Sequence, residues 1–203
     1  VLRSALDVTV RRFPSIAVRL RRGVFWYYLE QIPNAPPIEE ERSYPLVHVP
    51  FDDVRKCAFR VIVYRDRIAV EFFHAVTDGT GGMIFLKTLV AEYLCQKYGV
   101  QIPAEHGVLG RLEEPSEAEL EDSFLRYAGE RKASRKESTA WHLSGTREPD
   151  GFLNLTTMML SVEKVKQCAG RYQVSVTEFM AAAMIKAICE MQAEAVPRRS
   201  RRK

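Results

Sequence analysis

The feature that most constrains this chain is a change of period inside one stretch, Arg67 to Tyr98, reading RIAVEFFHAVTDGTGGMIFLKTLVAEYLCQKY. Ile68, Val70 and Phe72 alternate with Ala69, Glu71 and Phe73, the period of two expected of a half-buried strand. At Met83 the spacing becomes helical, with Leu86, Leu89, Val90, Tyr93 and Leu94 on one face and Gly99 placed as a C-cap. Between the two lie His74, Asp78, Gly79, Gly81 and Gly82. A strand, a polar glycine-bearing turn and a helix in that order form a platform that holds a side chain rigidly at a cleft. Two readings of the turn follow from spacing alone. In one, His74 bonds a backbone carbonyl and Asp78 caps the next helix; in the other, His74 is a catalytic imidazole.

The words FFHAVTDGTGG resemble the active-site segment of the acyltransferases related to chloramphenicol acetyltransferase, a superfamily marked by H-x-x-x-D-G that includes peptide-synthetase condensation domains and alcohol acetyltransferases. His74, Asp78 and Gly79 match that motif, and the following GGMIFLKTLVAEYL resembles the helix after it in the alcohol acetyltransferase branch. Condensation domains usually carry two adjacent histidines; Phe73 stands in place of the first here, which turns the resemblance towards acyl-coenzyme A enzymes acting on small acceptors.

The resemblance implies an α+β fold, a mixed and largely antiparallel sheet flanked by helices, forming a chloramphenicol acetyltransferase-like lobe. It also implies transfer of an acyl group from a thioester, acyl-coenzyme A or a carrier-protein thioester, to a hydroxyl or amine of a small acceptor, with no covalently bound cofactor and no metal. His74 would be the general base, Asp78 and Gly79 structural at the active site, and Phe73, Gly81 and Gly82 candidates for the substrate channel. Asp78 either orients the imidazole or points away to hold the turn; the family resemblance implies the second, with an arginine from the other half of the enzyme. Family members have two similar lobes, and the D-F-G-W-G-like motif of the second does not occur in this chain. Residues 1–145 are therefore expected to form the N-terminal lobe and 146–203 the start of a truncated second lobe. Such a fragment is expected to be inactive alone, to require the missing C-terminal lobe and to be open to self-association. The alternative from another class is a non-catalytic, condensation-like interaction module.

Charge decides against nucleic acid as a partner. Lysine and arginine outnumber aspartate and glutamate 30 to 26, but Arg198, Arg199, Arg201, Arg202 and Lys203 are all terminal, and without them the balance is 25 to 26. Cysteines 57, 95, 168 and 189 have no metal-ligand spacing and read as free thiols of a reducing interior, so a cytoplasmic location is expected. No apolar run approaches the roughly 20 residues of a membrane span. Phosphate loop, nucleophile elbow and zinc signature are absent from the sequence, and Gly79-x-Gly81-Gly82 lacks the dinucleotide spacing.

Elsewhere the pattern predicts a first helix from Leu2 to Phe13, then a hairpin in which Ile16, Val18 and Leu20 face the run VFWYYL. The aromatics Phe25, Trp26, Tyr27 and Tyr28 are expected in the core or on a sheet face rather than in a pocket. Residues 33–50 read as a proline-rich connector holding a surface His48. Phe59, Val61 and Val63 form a strand turning at Arg65-Asp66. Beyond residue 100 the chain reads as a solvated or mobile link through GERKASRKEST, interrupted by one short helix from the capping box at Ser116 and Glu119 that carries Leu120, Phe124 and Tyr127. Phe152 to Leu160 looks strand-like, and Ser161 caps a helix. A second capping box at Ser175 and Glu178, with Val174 and Phe179 as a staple, opens a helix expected to bury Val176, Met180, Ala183, Met184, Ala187, Ile188 and Met191.

Overall fold

The computed structural model describes residues 1–42, 49–121, 124–129, 140–142, 145, 146, 148, 149, 152 and 154–195. His48, the tract 130–139 and the basic cluster 198–203 lie outside them. The chain divides into two compact units, Val1–Gly129 and Glu130–Lys203, and the fold class is α+β. No helix among the described residues is long and apolar enough to cross a membrane.

In the first unit, helix α1 (Leu2–Arg12) is followed by the antiparallel pair β1 (Val18–Arg22) and β2 (Tyr27–Gln31). A three-stranded sheet has the order β3 (Ile38–Glu40), β4 (Phe59–Tyr64), β5 (Arg67–Phe72), with β3 parallel and β5 antiparallel to β4. One turn of helix, α2 (Phe51–Val54), precedes β4, and α3 (Gly79–Tyr98) follows β5. The core lies where α1, the sheet and α3 meet: Leu6, Val61, Phe85 and Leu89 are fully buried. Phe85 sits at its centre, with the rings of Phe13, Phe59 and Phe72 edge-on at 5.1, 5.2 and 5.5 Å. Edge-to-face packing of this kind suits the aromatic quadrupole and adds to area burial.

The hairpin and sheet differ from the sequence expectation in instructive places. β1 pairs Arg22 with Tyr27, and the Gly23 amide donates to the Trp26 carbonyl at 2.7 Å, so Val24, Phe25 and Trp26 form the connection rather than a strand. Phe25 and Trp26 are 88% and 64% exposed, not core residues, and Tyr27 and Tyr28 are exposed as well. A two-stranded ladder closes on itself there, and among the described residues no third strand joins it to cover the aromatics. Within the presumed connector 33–50, residues 38–40 form β3, with Ile38 opposite Val61. Three residues behind two prolines are too few for alternation to register, yet the parallel partner satisfies their backbone groups.

The described residues after α3 are largely exposed, as a solvated segment would be, but several of them are tied to the first unit. The Arg12 side chain is 5% exposed; its Nε donates to the Gly110 carbonyl and its guanidinium pairs with Glu119 at 2.8 Å. Arg111 pairs with Glu92 at 2.9 Å, and the Leu109 amide donates to Thr88 Oγ1. The Ser116/Glu119 capping box is present, but the helix runs only over α4 (Glu117–Leu120) before Glu121 turns extended, and α5 (Phe124–Tyr127) is a separate turn. Leu120, Phe124 and Tyr127 are exposed, so they do not share a buried face.

In the second unit, α6 (Val162–Arg171) packs against α7 (Val176–Ala195). Ser161 caps α6, Ser175 and Glu178 bond reciprocally, and Tyr172 stacks on Phe179 at 6.2 Å. The expected strand at 152–160 is not formed among the described residues, and Met159 is almost wholly exposed. Isolated strand-forming residues have no ladder in which to place their amides and carbonyls. The predicted apolar stripe of α7 is present but not buried: Val176, Met180, Met184, Ile188 and Met191 are all exposed.

Candidate active site

The site grows out of the β4–β5 ladder. Ile68, Val70 and Phe72 pack on the core as their alternation requires, and Phe72 stands opposite Phe59 in register. One residue further the Phe73 amide still donates to the Ala58 carbonyl at 2.7 Å, so the backbone is held by the sheet up to the residue before His74. The chain then turns, with the Val76 amide donating to the Phe73 carbonyl at 2.9 Å. Asp78 Oδ1 accepts from the Gly81 amide at 2.8 Å, and the Gly82 amide donates to the Asp78 carbonyl, which starts α3. The helix therefore begins at Gly79, four residues before the sequence period becomes legible. Three glycines in a first turn erase the apolar spacing without preventing the helix, because the cap supplies what propensity lacks.

Asp78 is thus a helix cap, and no hydrogen bond or ion pair joins it to His74 or to an arginine among the described residues. The same cap occupies the Gly81 amide, which is consequently not available to an oxyanion. A Cβ at Gly81 would collide with Thr77 Oγ1, and one at Gly82 would lie 3.1 Å from the Phe72 ring, so both allow turn and strand to approach closely, and Gly82 also lines the cleft beside His74. A Cβ at Gly79 would meet nothing within 4 Å; packing does not require that glycine.

His74 is exposed, and among the described residues its imidazole has no hydrogen-bond or ion-pair partner. It stands on the shared wall of two clefts. One, of about 480 Å³, lies between β5 and the start of α3 and is bounded by Val70, Phe72, Asp78, Gly79, Met83 and Leu86. The other, of about 570 Å³, opens on the far side against β3, α2 and β4, with Glu39, Asp53, Lys56, Cys57, Arg60 and Phe73 in its walls. The second cleft is the more charged: Lys56 is bound to Asp53 at 2.8 Å, which raises its pKa, and Arg60 pairs with Glu71 at 2.5 Å. Burial pushes the Cys57 thiol up, which keeps it protonated and poorly nucleophilic near neutral pH.

Gly79 lines the first cleft with His74, and Phe73 the second. Met83 and Leu86, neither of them a candidate on sequence grounds, also line the first cleft, while Phe85 and Leu89 are buried in the core. A signal existed, since Gly79, Met83 and Leu86 fall at i, i+4 and i+7 on one side of a helix, but only a correct helix start reveals it.

No family model matches the chain, and no curated protein matches it. Among solved structures it is similar to the SgcC5 protein from Streptomyces globisporus, determined in complex with (R)-(-)-1-(2-naphthyl)-1,2-ethanediol and sucrose. The identity is 20% and the TM-score 0.37, over 50% of this chain and 28% of that one. A likeness of that strength defines neither fold nor activity.

Proposed function

We propose that the chain carries the base of an acyltransferase that moves an acyl group from a thioester to a hydroxyl or amine, with His74 as that base. The observation that supports this reading best is an unpartnered imidazole on the wall common to two clefts, each within the roughly 300–1,000 Å³ of small-molecule sites. Two substrates approaching from opposite sides would meet at such a ring. Imidazole titrates near neutral pH and suits proton transfer there. In the reaction a ring nitrogen takes the acceptor's proton as its oxygen or nitrogen attacks the thioester carbonyl. The new bond to carbon forms, the carbon–sulfur bond breaks, and the ring returns the proton to the departing thiolate. Phe73 lines the second cleft. Acyl-coenzyme A or a carrier-protein thioester is the donor class on this reading, and a second lobe closes the site. Four free cysteines accord with a reducing, cytoplasmic setting.

The test is thiol release from acyl-coenzyme A by the natural full-length chain, with a hydroxyl acceptor present, compared with His74→Ala. Release that depends on the acceptor and is lost in the variant is expected. Equal release by both proteins, or none from any donor, would overturn the reading.

A further inference from the structure

The cleft between β5 and α3 is graded along its length. His74, Thr77 and Asp78 stand at the turn, and the rest of the lining is mainly hydrocarbon and thioether, Val70 and Phe72 on β5 and Met83 and Leu86 on α3, with the carboxylate of Glu71, paired to Arg60, the exception. Gly79 lies at the transition. Since nothing lies within 4 Å of where its Cβ would be, its effect is to leave the passage from the imidazole to the apolar walls open. Met83, 52% exposed, is a flexible apolar side chain standing in that passage, of the kind that adapts to ligands of varied shape. The cleft on the other side of His74 also has apolar walls, Pro36, Pro37, Phe51, Val54 and Phe59 among them, but sets Glu39, Asp53, Lys56 and Arg60 beside them, groups that are costly to desolvate against hydrocarbon.

We infer that the β5–α3 cleft binds an aliphatic chain whose polar head rests at His74, and that Met83 and Leu86 set the length of chain it takes. The identity of the head rests on the acyl-transfer reading; the binding of the chain does not. The chain has two possible sources with the same chemistry, the tail of an alcohol acceptor or the acyl group of the donor.

Two probe series separate them: n-alkanols of increasing length, and N-acetylcysteamine thioesters of the matching fatty acids, titrated into the natural chain by calorimetry. In at least one series affinity should rise about fourfold per added methylene until it levels off, as burial of each methylene predicts. Met83→Trp should move the plateau to shorter chains, and Leu86→Ala should move it to longer ones. The exposure of Met83 makes the first variant tolerable to the fold, and Met83→Ala, which should lengthen the accepted chain, provides a second reading of the same position. A rise confined to the alkanols assigns the site to the acceptor, and one confined to the thioesters assigns it to the donor. Affinity independent of chain length in both series, or a plateau unmoved by all three variants, would overturn the inference. Chain-length dependence without thiol release would leave the binding site standing and remove the acyl-transfer reading. Thiol release indifferent to chain length would do the reverse.

Discussion

Helices α3 and α7 are the same length, 20 residues each, and both start on a side-chain cap. Asp78 caps the first through the Gly81 amide; Ser175 and Glu178 cap the second in both directions, at 3.2 and 2.7 Å. By local coding α7 is the better specified, with a full capping box and no glycine within it. Their surroundings are opposite. α3 buries Phe85 and Leu89 completely against α1 and the sheet, whereas the methionines and Ile188 of α7 stand in solvent. The difference teaches that capping and period determine whether a helix forms, within a turn or two, while burial depends on what packs against its apolar face. The site follows the same division: the backbone on either side of His74 is held by the sheet at Phe73 and by the cap at Asp78.

The comparison is open to attack at several levels. The largest expected effect is chemical: His74→Ala in the natural full-length chain should lower acceptor-dependent thiol release by about 10²–10⁴-fold, the usual range for a general base, with the unfolding midpoint of the first unit unchanged because the ring has no internal partner. Next, Phe85→Ala should cost about 3–5 kcal/mol by denaturant unfolding, while Met184→Ala on the exposed stripe of α7 should stay within about 0.5 kcal/mol. A comparable loss at Met184 would show that α7 is buried in solution and erase the contrast.

The caps should behave alike although the helices do not. Asp78→Ala and Ser175→Ala are each expected to remove about 0.5–2 kcal/mol. Asp78→Asn, which keeps an oxygen acceptor for the Gly81 amide, should lose far less than Asp78→Ala; equal losses would point to a charge partner for Asp78 rather than a cap.

The smallest effect concerns acid. Arg12 and the Ser116 amide hold the Glu119 carboxyl at about 2, below the ordinary 4.5. A depressed carboxylate contributes its stability fully above about pH 4.5 and loses it as pH falls from there towards 2. Because Glu119 is partly solvated the contribution is about 1 kcal/mol or less. Urea midpoints of Glu119→Gln should therefore lie below wild type at neutral pH and converge on it near pH 2. Ser175 lowers the Glu178 carboxyl in the same direction in the second unit, but that pair is exposed, and Glu178→Gln should change the acid profile least.

Much of the first unit was legible because its signals are local. Alternation in 59–64 and 67–72, the turn at Arg65-Asp66, Gly99 in the left-handed region at φ 66° and the capping residues Asp78, Ser116, Ser161 and Ser175 are all read over a few residues and all appear. Elements that depend on a distant partner were misread. β3 exists because β4 accepts it, the segment after α3 is ordered by Arg12 and Arg111, and the strand-like run at 152–160 lacks a partner among the described residues.

At the site the division is the same. The amino-acid order alone determined that a histidine follows a strand and precedes a capped helix, because hydrogen bonds between near neighbours are encoded in spacing. Only the tertiary structure decided that two clefts meet at that histidine, that Gly81 and Gly82 are packed while Gly79 is open, and that Met83 and Leu86 line the first cleft while Phe85 fills the core. Those outcomes depend on which surfaces approach across long separations in sequence, and no local period records that.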